Sequence, residues 1–328
     1  MPDSPKPPKP PQPAQWPKLD DLLVKTSRTF AASIPLLPER LHEQVGLAYL
    51  LFRIADTFED GTDWPAARRD AALAEFDALL DPYDPDRARR LAAEWAADPP
   101  MAHDGYTELL AETPWVLERL HALADAPRER IVHHTRRCID GMREIVARTG
   151  DDGRLVLRDL DDLRRYCYYV AGLVGEMLTD LFVLDCERLR PVEATLQARA
   201  RLFGEGLQLV NILKDSAGDA VEGRTYLPSD VARASVFALA RSSLRDAARY
   251  LMSVYEARPP AGVVRFLALP LMLAWATLDR VERDGSGAKL TRDEVLGCLA
   301  AVRASFDPER DRLTRRALRD LFRRVFPN

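Results

Sequence analysis

The chain has 328 residues, 47% of them hydrophobic, with 47 Lys and Arg against 51 Asp and Glu and a formal net charge of −4. A chain of this length can build a large hydrophobic core without disulfides or structural metals. Positive and negative residues are interspersed, which argues against a general nucleic-acid-binding surface. The 4 cysteines are widely spaced and form no CxxC pair, which argues against a disulfide framework or a zinc site.

The N-terminal residues 1–18 are rich in proline and contain no apolar segment of the kind found in signal peptides. We predict that they form a disordered tail. The longest apolar run, Phe266 to Leu278, is shorter than the roughly 20 residues needed to span a bilayer and is interrupted by Pro270. We therefore expect no transmembrane helix and a cytoplasmic location.

From residue 19 onward the apolar residues recur with helical spacing, and proline and glycine separate segments of ordinary helix length. No run of alternating β-branched residues indicates a sheet. The sequence predicts an all-α fold with a single domain over residues 19–328. It contains neither a GxGxxG turn after a strand nor a P-loop, which argues against a nucleotide-binding fold of either type.

Three carboxylates lie close together in the sequence at Asp56, Glu59 and Asp60. Spacings of three and four residues place them on one face of a helix, where like charges repel each other. A divalent cation would relieve this repulsion, and Mg²⁺ characteristically bridges carboxylates to substrate phosphates. The alternative is an acidic helix face that is simply solvated.

A second polar cluster, Asn211, Asp215 and Asp219, repeats every four residues and predicts a ladder of oxygen ligands along another helix. An acidic helix face alone is weak evidence for a metal site. Two such faces, each within apolar sequence, favour a shared site for divalent ions more strongly.

Basic residues accompany both clusters. Arg53 precedes Asp56 by one helical turn, Lys214 adjoins Asp215, and Arg224 follows the second cluster. Carboxylates, magnesium and arginines in one cavity are what the ionisation of a diphosphate requires, because cations must stabilise the charge on the leaving group. Surface ion pairs are the alternative explanation, and such pairs contribute little.

The segment Tyr166 to Gly175 begins with aromatic residues and ends with small and apolar ones. Gly172 and Gly175, three residues apart, would allow a neighbouring helix or a ligand chain to approach closely. Aromatic rings can stabilise a carbocation, and a tyrosine hydroxyl can relay a proton. The same pattern also occurs in ordinary helical cores.

These features together resemble the squalene and phytoene synthases, from about Ser27 to Arg292. The stretch Ser27 to Phe30 is similar to the family's early substrate-binding motif, and Asp56 to Asp60 to its first DxxED motif. Tyr166 to Gly175 resembles the YxxYVAGxVG motif, and the second polar cluster resembles the family's NxxxDxxxD motif. Four motifs in the right order make the resemblance specific.

The resemblance implies the class I isoprenoid synthase helical bundle around a central cavity. It implies Mg²⁺ ligands at Asp56, Glu59, Asp60, Asn211, Asp215 and Asp219. It implies diphosphate-binding residues at Ser27, Arg28, Arg53, Lys214 and Arg224. It implies catalytic roles for Tyr166, Tyr49 and Arg53. It implies that the prenyl chains contact Phe30, Val170 and Val174.

By the same resemblance the substrates are two molecules of farnesyl diphosphate, joined through presqualene diphosphate and reduced by NADPH to squalene. A short basic segment resembles the NADPH-binding region of squalene synthases and implies cofactor contacts at Lys289 and Arg292. We expect a bacterial-type enzyme that contacts a membrane surface transiently to release its product. The sequence leaves the oligomeric state open.

Two alternatives remain open from the sequence. The segment Thr225 to Pro228 is more typical of the phytoene and bacterial presqualene branches, and Tyr168 replaces a histidine common in eukaryotic squalene synthases. The product could therefore be presqualene diphosphate, dehydrosqualene or phytoene, without reduction. A remote alternative is a non-catalytic protein that binds prenyl lipids or divalent ions.

Overall fold

The computed structural model describes residues 16–27, 29–149, 155–221 and 224–305. Helices account for nearly all the regular structure in these ranges, which confirms the predicted all-α fold. The first half contains α1 (Trp16–Thr26), α2 (Phe30–Ser33), α3 (Glu39–Asp60), α4 (Ala66–Leu80), α5 (Pro85–Ala97), α6 (Asp104–Ala111), α7 (Thr113–His121) and α8 (Asp125–Ala147). The second half contains α9 (Leu160–Cys167), α10 (Leu173–Asp185), α11 (Glu193–Val221), α12 (Arg233–Glu256), α13 (Ala261–Asp284) and α14 (Arg292–Ser305).

Short irregular helices join some of these elements. Two 3₁₀ helices cover Ile34–Leu36 and Glu187–Val192, and a π-helix, Tyr168–Gly172, joins α9 to α10. The predicted tail, residues 1–18, falls mostly outside the described residues, and α1 begins at Trp16, ahead of the domain start expected at residue 19.

Helix α3 lies in the interior of the bundle. It packs against α1, α4, α7, α8 and α10, and Leu47, Leu51, Ile54 and Phe58 are essentially inaccessible to solvent. Burial of each such side chain stabilises the fold by about 1.5–3 kcal/mol. Because packing surrounds α3 in this way, the carboxylates at its C-terminal end are held on a rigid element.

The α10 and α11 helices cross in backbone contact. A Cβ atom built on Gly175 would lie 2.0 Å from the Ala200 carbonyl oxygen, and one built on Gly204 would lie 1.9 Å from the Ala171 carbonyl oxygen. Only glycine allows this approach. The close helix contact that the sequence predicted at Gly175 is therefore present.

The start of α9 is fixed by a network of charged side chains. The Asp159 side chain caps the helix by accepting a hydrogen bond from the Asp162 amide at 2.8 Å. Both Asp162 carboxylate oxygens accept from Arg148, at 2.9 and 2.6 Å. Burial alone would raise the pKa of Asp162, but hydrogen bonds from Arg148 and Arg158 hold it at about 2.

A two-residue parallel strand pair connects distant parts of the chain. Strand β1 (Leu155–Val156) pairs with β2 (Arg224–Thr225), with Leu155 opposite Arg224. The pair brings the segment before α9 beside the segment after α11, and so places Arg224 near the end of α3.

Two helical segments of the described part are long and apolar enough to cross a membrane, namely Leu160–Asp185 and Ala261–Asp284. In the most apolar window of each, 56% and 61% of the residues are buried inside the protein, as in core helices. Pro270, which interrupts the apolar run in the sequence, does not end the helix, because α13 continues through it. Proline cannot donate the hydrogen bond to the Phe266 carbonyl, so packing around α13 maintains the helix there.

Candidate active site

The first acidic cluster lies in the last turn and a half of α3. One carboxylate oxygen from each of Asp56, Glu59 and Asp60 can be chosen so that all three lie within 4.8 Å of one another. Arg53, one turn earlier, donates a hydrogen bond from Nη1 to the Asp56 carboxylate. Burial lowers the pKa of Arg53, but the charge of Asp56 together with Tyr49 and Tyr106 more than offsets this and raises the pKa, so the guanidinium stays charged.

The electrostatics of this cluster favour a bound cation. Burial is the largest cause that raises the pKa of Asp60, and the charge of Asp56 is the second. The pKa reaches about 7, although Arg224 opposes the shift. Burial and the neighbouring carboxylates raise the pKa of Glu59, which is 5% exposed. The Glu59 Oε2 atom is buried without a hydrogen-bond partner. An unpartnered buried oxygen among mutually repelling carboxylates fits a hard divalent ion such as Mg²⁺.

The second cluster lies near the C-terminal end of α11. Asn211, Asp215 and Asp219 all face the same cavity as the first cluster. Lys214, which also lines this cavity, places its Nζ atom 3.0 Å from an Asp215 carboxylate oxygen. The four-residue spacing predicted this ladder, and the helix presents it as predicted.

Arg224 joins the two clusters. Its Nη1 atom donates to Asp60 Oδ1 at 2.7 Å, across 164 residues of sequence. The charge of Asp219 also contributes to the raised pKa of Asp60, because the two carboxylates lie in the same electrostatic environment. The two acidic helices therefore face each other, with Arg53, Lys214 and Arg224 supplying positive charge between them.

The cavity has a volume of about 550 Å³, which is within the usual range for small-molecule sites. Below the charged rim its walls are apolar and aromatic. The apolar and aromatic residues at the wall include Phe30, Ile34, Val45, Phe52, Met142, Val170, Val174, Met177, Leu178, Phe203, Leu207, Phe266 and Pro270. On α11 the wall extends from Asp215 down to Phe203, a depth of about 18 Å at 1.5 Å rise per residue.

Most of the predicted site residues meet at this cavity. The exceptions are Glu59, buried beside it, and Ser27, whose Oγ accepts a hydrogen bond from the Phe30 amide at 3.0 Å. Lys289 and Arg292 are exposed and do not line the cavity. Arg28 lies outside the described residues.

Tyrosines surround the charged end of the cavity. The Tyr49 hydroxyl donates to the Thr26 carbonyl at 2.9 Å and accepts from Arg53 Nε at 3.3 Å. The rings of Tyr166 and Tyr226 lie 4.7 Å apart. Burial and the Glu59 charge raise the pKa of Tyr166 well above its ordinary value, so its phenol stays protonated at neutral pH.

Sequence reasoning missed three residues at this site. Tyr226 lines the cavity, and Tyr106 of α6 lies beneath the Arg53 guanidinium, 5.4 Å from it to the ring centroid. Arg69 of α4 is 5% exposed and donates to the Glu59 carbonyl oxygen at 2.7 Å. Tyr226 stood in a segment already compared with the family, but Tyr106 and Arg69 carry no local signal, because only the tertiary fold brings them to α3.

The sequence of this chain is similar to sequences of known proteins. A sequence model of the squalene/phytoene synthase family matches residues 23–296. The squalene synthase of Candida albicans is 31% identical over 213 residues, which are 64% of this chain and 45% of that protein. The chain thus spans less than half the length of this curated relative.

Solved structures show the same fold. The complex structure of TcSQS with the ligand E5700 matches with a TM-score of 0.73 and 24% identity, over 94% of this chain and 90% of that one. A dehydrosqualene synthase in complex with a ligand matches with a TM-score of 0.57 and 22% identity, over 88% and 95% of the two chains. The predicted isoprenoid synthase bundle is confirmed.

Proposed function

The chain belongs to the squalene/phytoene synthase family, and we propose that it is a Mg²⁺-dependent prenyltransferase that joins two molecules of farnesyl diphosphate head to head. The product we propose is squalene, formed through presqualene diphosphate with NADPH as reductant. A product without charge would leave through contact with a membrane surface, so we expect a cytoplasmic enzyme that visits the membrane transiently.

The observation that carries the proposal is the division of one cavity into a charged end and an apolar end. Both acidic clusters and three basic side chains occupy one end, and aliphatic and aromatic side chains line the rest. A prenyl diphosphate has the same division, with an anionic head and a long apolar chain. A site for a wholly polar or wholly apolar ligand would not need both parts.

Positive side chains at the charged end would bind the diphosphate and stabilise it as it leaves. Arg53, Lys214 and Arg224 can donate hydrogen bonds to its oxygens. The carboxylates of both clusters would hold Mg²⁺, which supplies further positive charge to the leaving group. Each carboxylate cluster has a basic neighbour, which offsets part of its negative charge and orients its side chains before substrate binds.

The aromatic and apolar walls would protect the allylic carbocation that remains after diphosphate leaves. When the carbon–oxygen bond of the first substrate breaks, the electron pair leaves with diphosphate and an allylic cation forms. The double bond of the second substrate then attacks this cation, and loss of a proton closes a cyclopropane ring. The protonated Tyr166 and its neighbour Tyr226 present ring electrons near the charged end, and the apolar wall excludes water that would quench the cation.

For the reductive step we propose a basic segment that lies beside the cavity and outside its wall. Lys289 follows Gly287 by two residues, and the Gly287 amide donates to the Lys214 carbonyl at 2.7 Å. The basic segment is thereby tied to the helix that carries the second cluster, which supports binding of a phosphorylated cofactor beside the cavity. Lys289 and Arg292 themselves would bind cofactor phosphates.

A second candidate function is the same condensation without reduction, giving presqualene diphosphate, dehydrosqualene or phytoene. The observation in its favour is that Lys289 and Arg292 lie outside the cavity wall. Mass spectrometry of the lipid products from farnesyl diphosphate and Mg²⁺, with and without NADPH, separates the two. Squalene that appears only with NADPH supports the full proposal, whereas a product that does not depend on NADPH supports the second candidate. No product from any prenyl diphosphate would favour a non-catalytic binding protein.

A further inference from the structure

The turn between α13 and α14 contacts the acidic helix α11 at the level of its metal-facing residues. Gly285 and Gly287 have φ angles of 91° and 85°, in the left-handed region that favours glycine. These two backbone angles point Ser286, the residue between them, at the surface of α11. The Gly287 amide donates to the Lys214 carbonyl at 2.7 Å.

Every hydrogen-bonding position of the Ser286 hydroxyl is used in this contact. It donates to the Lys214 carbonyl oxygen at 2.9 Å. It accepts from the Ala217 amide at 3.0 Å and from the Ser216 hydroxyl at 3.0 Å. A serine hydroxyl has one donor and two acceptor positions, so the match is complete. The three partners span one turn of α11 around Asp215.

Arg233, the first residue of α12, contacts the same turn of α11 from another direction. Its Nη2 atom donates to the Leu213 carbonyl at 3.0 Å, and its Nη1 atom donates to the Ser216 hydroxyl at 3.1 Å. A cation in the first turn of a helix is disfavoured by the helix dipole. Its position is therefore better explained by the bonds to α11 than by the needs of α12.

Few side chains pack against the C-terminal turns of α11, which carry Asp215 and Asp219. A Cβ atom on Gly218 would meet no atom within 4 Å, and the Val221 side chain is 88% exposed. The side chains of Lys214 and Asp215 are 26% and 45% exposed. The buried hydrophobic side chains of α11 end at Leu213, and none of the residues from Lys214 to Val221 is buried.

We propose that Ser286 and Arg233 form a clamp that positions Lys214 and Asp215 for metal and diphosphate binding. The inference rests on the proposed function, because it assigns these side chains to the metal end of the same cavity. Mg²⁺ requires near-ideal octahedral geometry, so its ligands must be held within about 0.5 Å. Groups that orient metal ligands typically change affinity by about 10–100-fold when removed.

The test measures divalent-ion binding directly. Mn²⁺ is titrated into the full-length protein with inorganic diphosphate present, and free Mn²⁺ is followed by electron paramagnetic resonance. We expect Ser286→Ala to weaken Mn²⁺ binding by about 10-fold, with little change in the unfolding midpoint of the metal-free protein. Ser286→Thr, which keeps the hydroxyl, should restore binding. Ser253→Ala removes an exposed hydroxyl that donates to the Arg249 carbonyl one turn earlier in α12, and it serves as the matched control.

Arg233→Met tests the other half of the clamp and should also weaken Mn²⁺ binding, which keeps the inference testable if Ser286→Ala does not fold. Unchanged Mn²⁺ binding in both clamp variants would overturn the inference and leave the proposed function intact. A lowered unfolding midpoint with unchanged Mn²⁺ binding would show a purely structural contact and would also overturn it. If the wild-type protein bound no Mn²⁺ in the presence of diphosphate, this would contradict both the metal site of the proposed function and the clamp.

Discussion

Arg224 Nη1 lies 2.7 Å from Asp60 Oδ1 and 3.3 Å from the Asp60 backbone oxygen, so a single guanidinium nitrogen faces both the side chain and the backbone at the end of α3. Arg224 itself is held in β2, just beyond the C-terminal end of α11. The bond therefore ties the end of α3 to the segment that follows α11. It gives Arg224 two roles, because it orients Asp60 and offers positive charge to a diphosphate.

Replacement of Arg224 should reduce activity strongly. We expect Arg224→Met to lower the rate of diphosphate release from farnesyl diphosphate by about 100-fold, since a charged donor to the leaving group is lost. Arg224→Lys should retain more activity, because it keeps the charge but not the planar donor geometry. Arg249→Met, which removes an exposed pair with Asp246, is the control and should have little effect. Arg224→Met with more than half of the wild-type rate would contradict the assignment.

Each acidic cluster should be indispensable on its own. Asp56→Asn and Asp215→Asn each remove one charge from a different helix, and we expect each to lower turnover by about 100–1,000-fold. Circular dichroism should show an unchanged helix content, because neither side chain belongs to the hydrophobic core. Asp246→Asn on α12 is the matched control. If one variant kept wild-type turnover, that cluster would not bind a catalytic ion.

The carboxylate of Asp60 should destabilise the metal-free protein at high pH. Its pKa is raised from 3.8 in the unfolded chain to about 7 in the folded protein, so the folded state binds the proton more tightly. Considered alone, this group contributes most to the free energy of unfolding below about pH 4. That contribution is lost as the pH rises from about 4 through about 7.

We therefore expect metal-free Asp60→Asn to unfold at a higher temperature than wild type at pH 8, and to lose this advantage near pH 4. The gain should be about 1–2 kcal/mol, less than the full shift implies because the carboxylate is partly exposed. Thermal denaturation followed by circular dichroism measures it, with the exposed Asp279→Asn as control. A lower midpoint for Asp60→Asn at pH 8 would show that Asp60 is a stabilising group and not a strained metal ligand.

Two glycines of α11 should respond oppositely to alanine. Gly204→Ala places a methyl group against the Ala171 carbonyl, so we expect α11 and the π-helix Tyr168–Gly172 to separate and the free energy of unfolding to fall by about 1–3 kcal/mol. Gly218→Ala meets nothing within 4 Å and should raise it by about 0.5–1 kcal/mol. Urea denaturation of both variants provides the comparison. Equal effects would mean that the helix crossing is looser than the structure shows.

The basic segment after α13 should affect only the reductive step. In a variant with Lys289→Ala and Arg292→Ala, we expect presqualene diphosphate to accumulate at limiting NADPH. Diphosphate release in the absence of NADPH should stay at the wild-type rate, because neither residue lines the cavity. Product ratios from mass spectrometry test this. Unchanged ratios and an unchanged NADPH requirement would remove these residues from the cofactor site.

The sequence was informative where residues that act together lie within a few turns of one helix. Asp56, Glu59 and Asp60 share a face because of their spacing alone, and the ladder from Asn211 to Asp219 follows from the same rule. The α10–α11 crossing could also be anticipated, because glycine at Gly175 admits a neighbouring helix and larger residues do not.

What the sequence could not provide depends on contacts between distant segments. Arg69 packs beneath Glu59 only because α4 folds back on α3, and no local pattern marks this arginine. From the sequence alone, Ser286 cannot be distinguished from other polar residues in turns, because its partners on α11 are distant in the chain. The continuation of α13 through Pro270 likewise depends on tertiary packing, which outweighs the lost backbone bond.

We propose that both acidic clusters bind one prenyl diphosphate head through divalent ions. This proposal is tested most directly by measuring inorganic diphosphate release from farnesyl diphosphate by the wild-type protein, with Mg²⁺ present and after its removal with a chelator. We predict release with Mg²⁺, none after chelation, and full recovery when Mg²⁺ is restored. Release that continues at the same rate without divalent ions, or no release in either condition, would contradict the claim.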